Sequence, residues 1–146
     1  MVIAIDFDGT CVKHAYPEIG ADIGAVPVLK ELVANGHDLM LWTMRGNKPD
    51  PGTLKDAVQW FNDNGIILWG VNENSEQTLI GWTNSNKQYA QLYIDDAALG
   101  APLLRDSKYD RPYYDWVTAR VILMKAGLIR PTDADIDAMV RNTLSV

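Results

Sequence analysis

Four short apolar runs, separated by segments with a helical repeat or by polar loops, constrain what this chain can fold into. The runs are Val2–Ile5, Leu39–Trp42, Ile66–Trp69 and Leu92–Ile94. Runs of this length without polar alternation are typical of strands that are buried on both faces of a sheet. Helical periodicity follows the first and second runs, and this alternation predicts an α/β domain with a parallel sheet and right-handed crossovers.

Two helices are expected between these runs. The first has Pro27 in its first turn and Gly36 just past its end, in agreement with the preferences of helix termini. Thr53 is expected to cap the second helix, with Asp56 three residues on as a capping-box-like partner. Gly65 is expected to end this second helix.

The second half of the chain has a different pattern. The polar stretch 72–86 has no clear period and is predicted to be a loop or a short helix. Further on, Pro112 opens a predicted helix, and Thr132 with Asp135 is expected to cap another. The apolar face of the first of these helices is predicted to contain Val117, Val121, Met124 and Leu128. The two helices would form an αα-hairpin over residues 110–146 that either covers the sheet or makes a homo-oligomer contact.

Length and composition fit one domain, with a core over residues 1–105 and a helical extension over 110–146. The chain has 146 residues, of which 47% are hydrophobic and 22% are charged, and a chain of this size can bury roughly 70% of its unfolded surface. The lone Cys11 excludes an internal disulfide framework and a Cys-rich zinc site. No run approaches the roughly 20 apolar residues of a membrane helix, and the first residues do not resemble a secretory signal. We therefore expect a cytoplasmic protein.

The charge balance argues against tight, sequence-independent binding to nucleic acid. Thirteen Lys and Arg against nineteen Asp and Glu give a net charge of −6, and no basic stripe is visible along the chain. Stacking of a single strand on aromatic side chains stays open, because the chain has five tryptophans: Trp42, Trp60, Trp69, Trp82 and Trp116. We interpret most of these side chains as core or rim residues.

Polar residues end three of the apolar runs. Asp6, Thr43 and Asp95 occupy these positions, and the carboxyl ends of parallel strands meet at one edge of a sheet, where ligands bind. Asp8 follows Asp6 by two residues, and Gly9 permits a tight turn that would let both carboxylates reach one cation. Several like charges in one place are costly unless a cation or a ligand compensates them, and Mg²⁺ suits carboxylate and carbonyl oxygens.

These residues form an ordered set that resembles the haloacid dehalogenase (HAD) superfamily of phosphotransferases. An apolar run followed by Asp-x-Asp-x-Thr stands as Val2–Thr10, and an apolar run ending in Thr stands as Leu39–Thr43. Lys87 stands in the place of the family's lysine, and residues 92–96 are an apolar strand that ends in two aspartates. The resemblance covers residues 1 to about 105 and implies a Rossmann-like core.

The resemblance implies a Mg²⁺-dependent phosphomonoester hydrolase. Asp6 would attack phosphorus to form an aspartyl-phosphate, and it would also ligate Mg²⁺. Asp8 would protonate the leaving oxygen and then activate water, while its backbone carbonyl ligates the metal. Asp95 would complete the metal site, with Asp96 as a ligand either directly or through water.

Four residues are predicted to bind the substrate phosphate. The resemblance assigns Thr43 and Lys87 to the phosphoryl oxygens, with Lys87 offsetting negative charge. Gly9 joins them as a residue of the first motif, and Arg45 lies two residues after Thr43, within reach of a substrate anion. His14 lies near the predicted mouth of the site and is a further candidate for substrate contact.

The chain has no room for the cap domain that usually covers the site in this superfamily. The 44 positions from Thr43 to Lys87 already hold one helix, one strand and a loop, and the chain resembles small capless bacterial and phage phosphatases. Two alternatives stay open: a phosphatase acting on nucleic-acid ends, and a non-catalytic scaffold that binds through its tail helices. A receiver-type phospho-acceptor module is disfavoured, because its acidic pair comes first along the chain, whereas Asp95-Asp96 comes last here.

Overall fold

A parallel sheet of four strands lies at the centre of the fold. The computed structural model describes residues 1–48, 52–73, 85 and 87–143. The strands of this sheet are β1 (Val2–Ile5), β2 (Asp38–Leu41), β3 (Leu68–Val71) and β4 (Leu92–Ile94), in the spatial order β3-β2-β1-β4. The sheet and the helices that flank it confirm the predicted α/β, Rossmann-like class.

The order of the strands creates a switch point next to β1. The chain builds outward from β1 to β2 and β3, and then returns to place β4 on the other side of β1. Every pairing in this sheet is parallel, so the carboxyl ends of β1 and β4 lie side by side. Open α/β sheets bind their ligands at reversals of this kind.

Within the described residues, the helices between the strands are α1 (Ala25–Ala34) and α2 (Thr53–Asp63). Gly36 has a φ of 81° just past the end of α1, a left-handed conformation that suits glycine. The capping box predicted at Thr53 is wrong, because the Thr53 hydroxyl donates to the Gly46 carbonyl at 2.7 Å and Gly52 occupies the N-cap position. Thr53 is only 6% exposed, so its hydroxyl is used to satisfy a loop carbonyl away from water.

The third strand lies two residues further along the chain than predicted. The apolar run predicts residues 66–69, whereas β3 runs from Leu68 to Val71. Ile66 is fully buried but lies between α2 and β3, where its N–H donates to the Phe61 carbonyl at 2.9 Å. Its apolar character therefore reflects burial without strand geometry. Much of the polar stretch 72–86 lies outside the described residues.

Alternation along β1 divides the apolar side chains between the two faces of the sheet. Ile3 and Ile5 belong to the larger core cluster, which also contains buried residues of α1, α2 and the C-terminal segment. Val2 and Ala4 belong to a smaller cluster with Met40 of β2. The period of two is the one expected for a strand with both faces covered.

Four of the five tryptophans lie in or against these clusters, in agreement with their interpretation as core or rim residues. Trp116 is buried in the larger cluster and Trp60 packs against it. Trp42 and Trp69 pack against the smaller cluster. Trp82 lies outside the described residues. Packing therefore accounts for the four that are described.

The C-terminal segment contains a hairpin that the sequence pattern does not predict. Strand β5 (Leu103–Leu104) pairs antiparallel with β6 (Tyr113–Tyr114). Pro112 precedes β6 and does not open a helix, so that prediction is wrong. The next helix, α3 (Trp116–Lys125), begins after Asp115, whose carboxylate accepts two backbone N–H groups of the first turn.

The buried face of α3 also differs from the prediction. Trp116, Ala119 and Leu123 face the larger core. Of the predicted face, Met124 and Leu128 do pack against this core, whereas Val117 is 80% exposed and Val121 is exposed as well. The Trp116 indole N–H donates to the Thr10 carbonyl at 2.7 Å. This buried hydrogen bond sets the rotation of the helix, because the large indole must enter the core at that point.

The last helix, α4 (Asp133–Thr143), begins with the predicted capping box. The Thr132 N–H donates to the Asp135 carboxylate at 2.8 Å, and the Asp135 N–H donates back to the Thr132 hydroxyl at 3.3 Å. Tyr114 and Ile129 belong to the larger core, so the tail packs onto the α/β unit. Contact between copies of the chain through these helices stays a prediction. Across the described part of the chain, no helix has the length and apolar character needed to cross a membrane.

Candidate active site

Three carboxylates meet at the carboxyl edge of the sheet. Asp6 follows β1, and Asp95 and Asp96 follow β4. The Asp6 N–H donates to the Ile94 carbonyl at 3.0 Å, which continues the pairing of the two strands as far as the site. One ligand atom from each of the three carboxylates lies within 4.8 Å of the others. The sequence-predicted metal-binding side chains Asp6, Asp95 and Asp96 are thus neighbours in the fold.

Thr10 connects two of these aspartates. Its hydroxyl donates to Asp6 Oδ2 at 3.0 Å and accepts the Asp96 N–H at 2.9 Å. Thr10 is fully buried, and its carbonyl accepts the Trp116 indole N–H described above. The sequence motif included Thr10 without giving it a role. Its role in the fold is to fix one oxygen of Asp6 relative to the chain that carries Asp96.

The Asp6 carboxyl group is held in a poorly solvated place. The pKa of Asp6 is raised to about 7, mainly by burial and to a smaller extent by the charges of Asp95 and Asp96. Hydrogen bonds from the Phe7 N–H and Thr10 oppose this rise. A bound divalent cation would reverse this balance, because it favours the charged form of each carboxylate around it. Carboxylate oxygens are ligands that Mg²⁺ prefers, so the three carboxylates in reach of one another fit that ion.

Gly9 lies beneath a contact between His14 and Asp96. His14 Nε2 is 3.0 Å from Asp96 Oδ2. Gly9 has a φ of 95°, and a Cβ at this position would overlap the His14 ring and lie 2.7 Å from Asp96 Oδ2. Both the backbone conformation and the close approach therefore require glycine. The Gly9 N–H donates to the Val12 carbonyl at 2.7 Å, so this amide is already used and the predicted phosphate contact by Gly9 lacks a free donor.

Arg45 is buried and holds Asp8. Its Nε and one terminal nitrogen donate to the two oxygens of Asp8, each at 2.7 Å. The guanidinium carbon lies over two aromatic rings, 5.1 Å from the centre of the Phe7 ring and 5.4 Å from that of Tyr16. Arg45 as a whole is 2% exposed. The pair is therefore a largely desolvated, bidentate contact.

The remaining donors of Arg45 go to backbone carbonyls. They reach Pro17 at 3.0 Å, Glu18 at 2.7 Å and Thr53 at 3.4 Å. A guanidinium has five N–H groups, and with the two that reach Asp8 all five have acceptors in the protein. This leaves none for a substrate anion, contrary to the prediction for Arg45. Arg45 instead orients Asp8 and ties the loop after β1 to the start of α2.

These residues line one cavity of about 730 Å³ at the carboxyl edge of the sheet. Asp6, Asp8, Thr43, Asp95 and Asp96 all contribute to its wall. The Thr43 hydroxyl oxygen accepts the Arg45 N–H at 3.2 Å, and the Thr43 N–H donates to the Asn72 side chain at 2.8 Å. No described residue accepts the Thr43 hydroxyl proton, so this proton is available to a ligand in the cavity.

Lys87 does not line this cavity. Its side chain is exposed, and its ammonium group lies 6.0 Å from the centre of the Tyr93 ring. The Lys87 N–H donates to the Ser85 hydroxyl at 3.1 Å. In this arrangement Lys87 does not reach the cavity, and its contact with a substrate phosphate stays a prediction.

Other residues of the cavity wall have no counterpart in the predicted site. Tyr16 and Met44 lie in the loops after β1 and β2, and Arg111 comes from the turn of the β5–β6 hairpin. Arg111 could not be found by sequence reasoning, because the hairpin that carries it consists of two-residue strands without a periodic signal. His14, named as a candidate for substrate contact, does line the cavity.

The fold and this edge define an α/β protein with an acidic cavity at its topological switch point. A solved structure described as a conserved protein of Bacteroides thetaiotaomicron is similar to this chain, with 33% sequence identity and a TM-score of 0.66. The similarity covers 93% of this chain and 96% of that one, so the chain belongs to the same family as that conserved protein. No family model and no curated protein matches the chain.

Proposed function

We propose that this protein is a Mg²⁺-dependent phosphomonoester hydrolase of the capless HAD type, which works through an aspartyl-phosphate on Asp6. One observation carries the proposal. Asp6, whose carboxyl group is half-buried, has a ligand atom within 4.8 Å of ligand atoms of Asp95 and Asp96 at a switch point, and Asp8 lines the same cavity. The cost of collecting these like charges is the physical reason to expect a cation there, and a cation in turn would attract a phosphate ligand.

The metal would be held by Asp6 and Asp95, with Asp96 as a ligand directly or through water and the Asp8 carbonyl as a further donor. When bound, Mg²⁺ would offset charge between the carboxylates and the phosphate oxygens and polarise the phosphoryl group. The raised pKa of Asp6, to about 7, makes this compensation necessary for a nucleophile that must act as a carboxylate.

Asp6 would act as the nucleophile. Thr10 anchors Oδ2, so one oxygen of Asp6 is held and the other is free to attack phosphorus. The bond from Asp6 to phosphorus forms as the bond from phosphorus to the ester oxygen breaks. Attack by water on the same phosphorus then releases inorganic phosphate and returns the Asp6 carboxylate.

Asp8 would move the protons in both steps. In the first step the protonated form of Asp8 would give its proton to the leaving alkoxide, and in the second step the resulting carboxylate would take a proton from the attacking water, which restores the acid. The bidentate contact with Arg45 uses one lone pair on each oxygen of Asp8, and a carboxylate has about four such sites in all. Asp8 can therefore stay on Arg45 and still exchange a proton with a group in the cavity. The Thr43 hydroxyl would donate to a phosphoryl oxygen.

Phosphate release from a panel of phosphorylated compounds tests this function. The panel contains sugar phosphates, nucleotides, phosphopeptides and end-phosphorylated oligonucleotides, each with Mg²⁺ and with chelator. Asp6→Asn should abolish turnover, whereas Asp38→Asn should not, because Asp38 is an exposed aspartate at the opposite end of β2.

Chelator-sensitive hydrolysis that is lost in Asp6→Asn and kept in Asp38→Asn would support the proposal and identify the substrate class. Full activity of Asp6→Asn would overturn the role of Asp6. If no compound of the panel released phosphate, with folded protein that binds Mg²⁺, the scaffold alternative would be favoured.

A further inference from the structure

The cavity carries an excess of negative charge, and the Arg45 guanidinium in its wall has no donor left for a ligand. Four carboxylates line it, those of Asp6, Asp8, Asp95 and Asp96. The guanidinium of Arg45 is fully occupied by protein acceptors, as described above. A phosphorylated substrate brings further negative charge, so recognition calls for a cation with unused donors at the wall or rim.

Arg111 meets this requirement. It lines the cavity and is exposed, and within the described residues it has no hydrogen-bond or ion-pair partner. The other basic side chains of the wall are Arg45, which is fully occupied, and His14, which already contacts Asp96. Among the described residues of the cavity wall, Arg111 is thus the cation whose donors are all available.

The turn that carries Arg111 is anchored to the loop after β1, which contains Asp8 and Gly9. The N–H of Tyr114 in β6 donates to the Gly9 carbonyl at 2.8 Å. Lys13 forms an ion pair with Asp106, whose other oxygen accepts the Tyr113 hydroxyl at 2.7 Å. These contacts hold both ends of the turn, so Arg111 is presented from an ordered element.

The size of the cavity indicates what Arg111 would contact. A volume of about 730 Å³ falls within the range of pockets that hold whole small molecules, roughly 300–1,000 Å³, and a phosphate group would fill only a fraction of it. The acidic cluster belongs to β1 and β4, whereas Arg111 comes from the separate β5–β6 hairpin. The rest of the substrate would therefore lie between the two.

We propose that Arg111 binds a second anionic group of the substrate, so that the preferred substrates are small phosphomonoesters with a further phosphate or carboxylate. This inference rests on the proposed hydrolase activity. It assigns to the hairpin the discrimination that a cap domain would otherwise provide. Arg111 would act as a specificity-determining residue through a charge-assisted hydrogen bond.

Paired substrates test the proposal. The pairs are 3-phosphoglycerate with glycerol 3-phosphate, and adenosine 3′,5′-bisphosphate with adenosine 5′-monophosphate. In the wild type, kcat/KM should favour the member with the second anion. In Arg111→Ala this preference should fall about tenfold or more, the size expected for one hydrogen bond to a charged group. Arg111→Lys should keep part of the preference, and high salt should weaken it.

Arg105→Ala is the matched control. Arg105 is an exposed arginine on the same hairpin turn that donates to the Lys108 carbonyl at 3.1 Å, and it is not part of the cavity wall. Its loss changes the net charge by the same amount, so any effect of overall charge will appear in both variants. The preference for the second anion should be unchanged in Arg105→Ala.

Equal losses on both members of a pair, or identical behaviour of the two arginine variants, would overturn the inference while leaving the hydrolase function intact. An Arg111-dependent preference seen for end-phosphorylated dinucleotides and for neither small-molecule pair would also overturn it, in favour of nucleic-acid ends. A wild-type protein that hydrolyses no phosphomonoester would remove the proposed function, and the role of Arg111 with it.

Discussion

Two arginines of this protein form ion pairs with carboxylates, one of them in a buried environment and the other in a partly exposed one. Arg45 is 2% exposed and gives all five N–H groups to Asp8 and to three backbone carbonyls. The Arg120 side chain on α3 is 22% exposed and binds Glu31 of α1 and Asp135 of α4 with two hydrogen bonds each, from 2.7 to 3.0 Å. The first lies in the candidate active site and the second joins three helices.

The difference teaches what burial does to an ion pair. Around Arg45 there is little water to replace a lost partner, so removal of the arginine leaves the charge of Asp8 uncompensated. Around Arg120 water and salt can take over much of the interaction. The Arg120 guanidinium holds the pKa of Asp135 well below its usual range. The contact with Arg45 positions Asp8, the proposed acid–base group, whereas the contacts of Arg120 bring helices together.

The largest expected effect is that of Arg45→Ala. The free energy of unfolding should fall by about 3–5 kcal/mol, the usual cost of breaking a buried ion pair by removing one partner, and hydrolysis should be lost. Urea titration followed by circular dichroism, with phosphate release, measures both. A variant within 1 kcal/mol of the wild type would mean that Asp8 finds other donors or water.

Arg45→Lys keeps the positive charge at this position and tests whether the orientation of Asp8 matters by itself. Lysine cannot make the bidentate contact, so Asp8 loses its orientation. The loss in kcat/KM should be larger for an alkyl phosphate than for 4-nitrophenyl phosphate, whose leaving group needs no proton. Equal losses on the two substrates would indicate a purely structural role for Arg45.

The metal-free protein should become less stable as pH rises from about 4 to about 7. The folded pKa of Asp6, about 7, lies above the ordinary value of 3.8, so the native state holds a proton in this window that the unfolded chain has released. Below pH 4 both states are protonated and the effect vanishes. Urea titrations in chelator should give this slope for the wild type and a smaller one for Asp6→Asn. Equal slopes would contradict the raised pKa.

The smallest effect should be that of Arg120→Ala. Its destabilisation should be well below that of Arg45→Ala, weaken with added salt, and leave hydrolysis unchanged. The pKa of Asp135 is lowered in the folded protein, so its stabilising contribution is present above pH 4 and is lost as pH falls below that value. The difference between wild type and variant should therefore narrow in acid. A loss of hydrolysis in Arg120→Ala would contradict the assignment of Arg120 to helix packing alone.

Two capping pairs with the same spacing illustrate how far local sequence predicts structure. Thr132 and Asp135 form the predicted capping box, because the exposed Thr132 and the half-buried Asp135 lie beside the start of α4. Thr53 and Asp56 do not, because the Thr53 hydroxyl is buried against the Gly46 carbonyl. The local signal is the same in both cases, and tertiary contact decides which hydrogen bond forms.

The candidate site also has features that the local sequence predicts and features that only tertiary contacts decide. The positions of Asp6, Asp95 and Asp96 at the ends of β1 and β4 were predictable, because apolar runs mark strands and parallel strands share an edge. The role of Thr10 as a link between Asp6 and Asp96 was not, since it depends on the loop that brings its hydroxyl between them. Metal binding and hydrolysis at this edge remain predictions for the experiments above.

By itself, the sequence determined the α/β class, the order of the strands along the chain and the aspartates at their ends, because these depend on residues a few positions apart. Tertiary structure alone decided that Arg45 serves Asp8, which is 37 positions away, and that Arg111 reaches the cavity. A long cationic side chain binds whichever acceptors the fold brings within its reach. That choice depends on segments distant in sequence, and no local pattern encodes it.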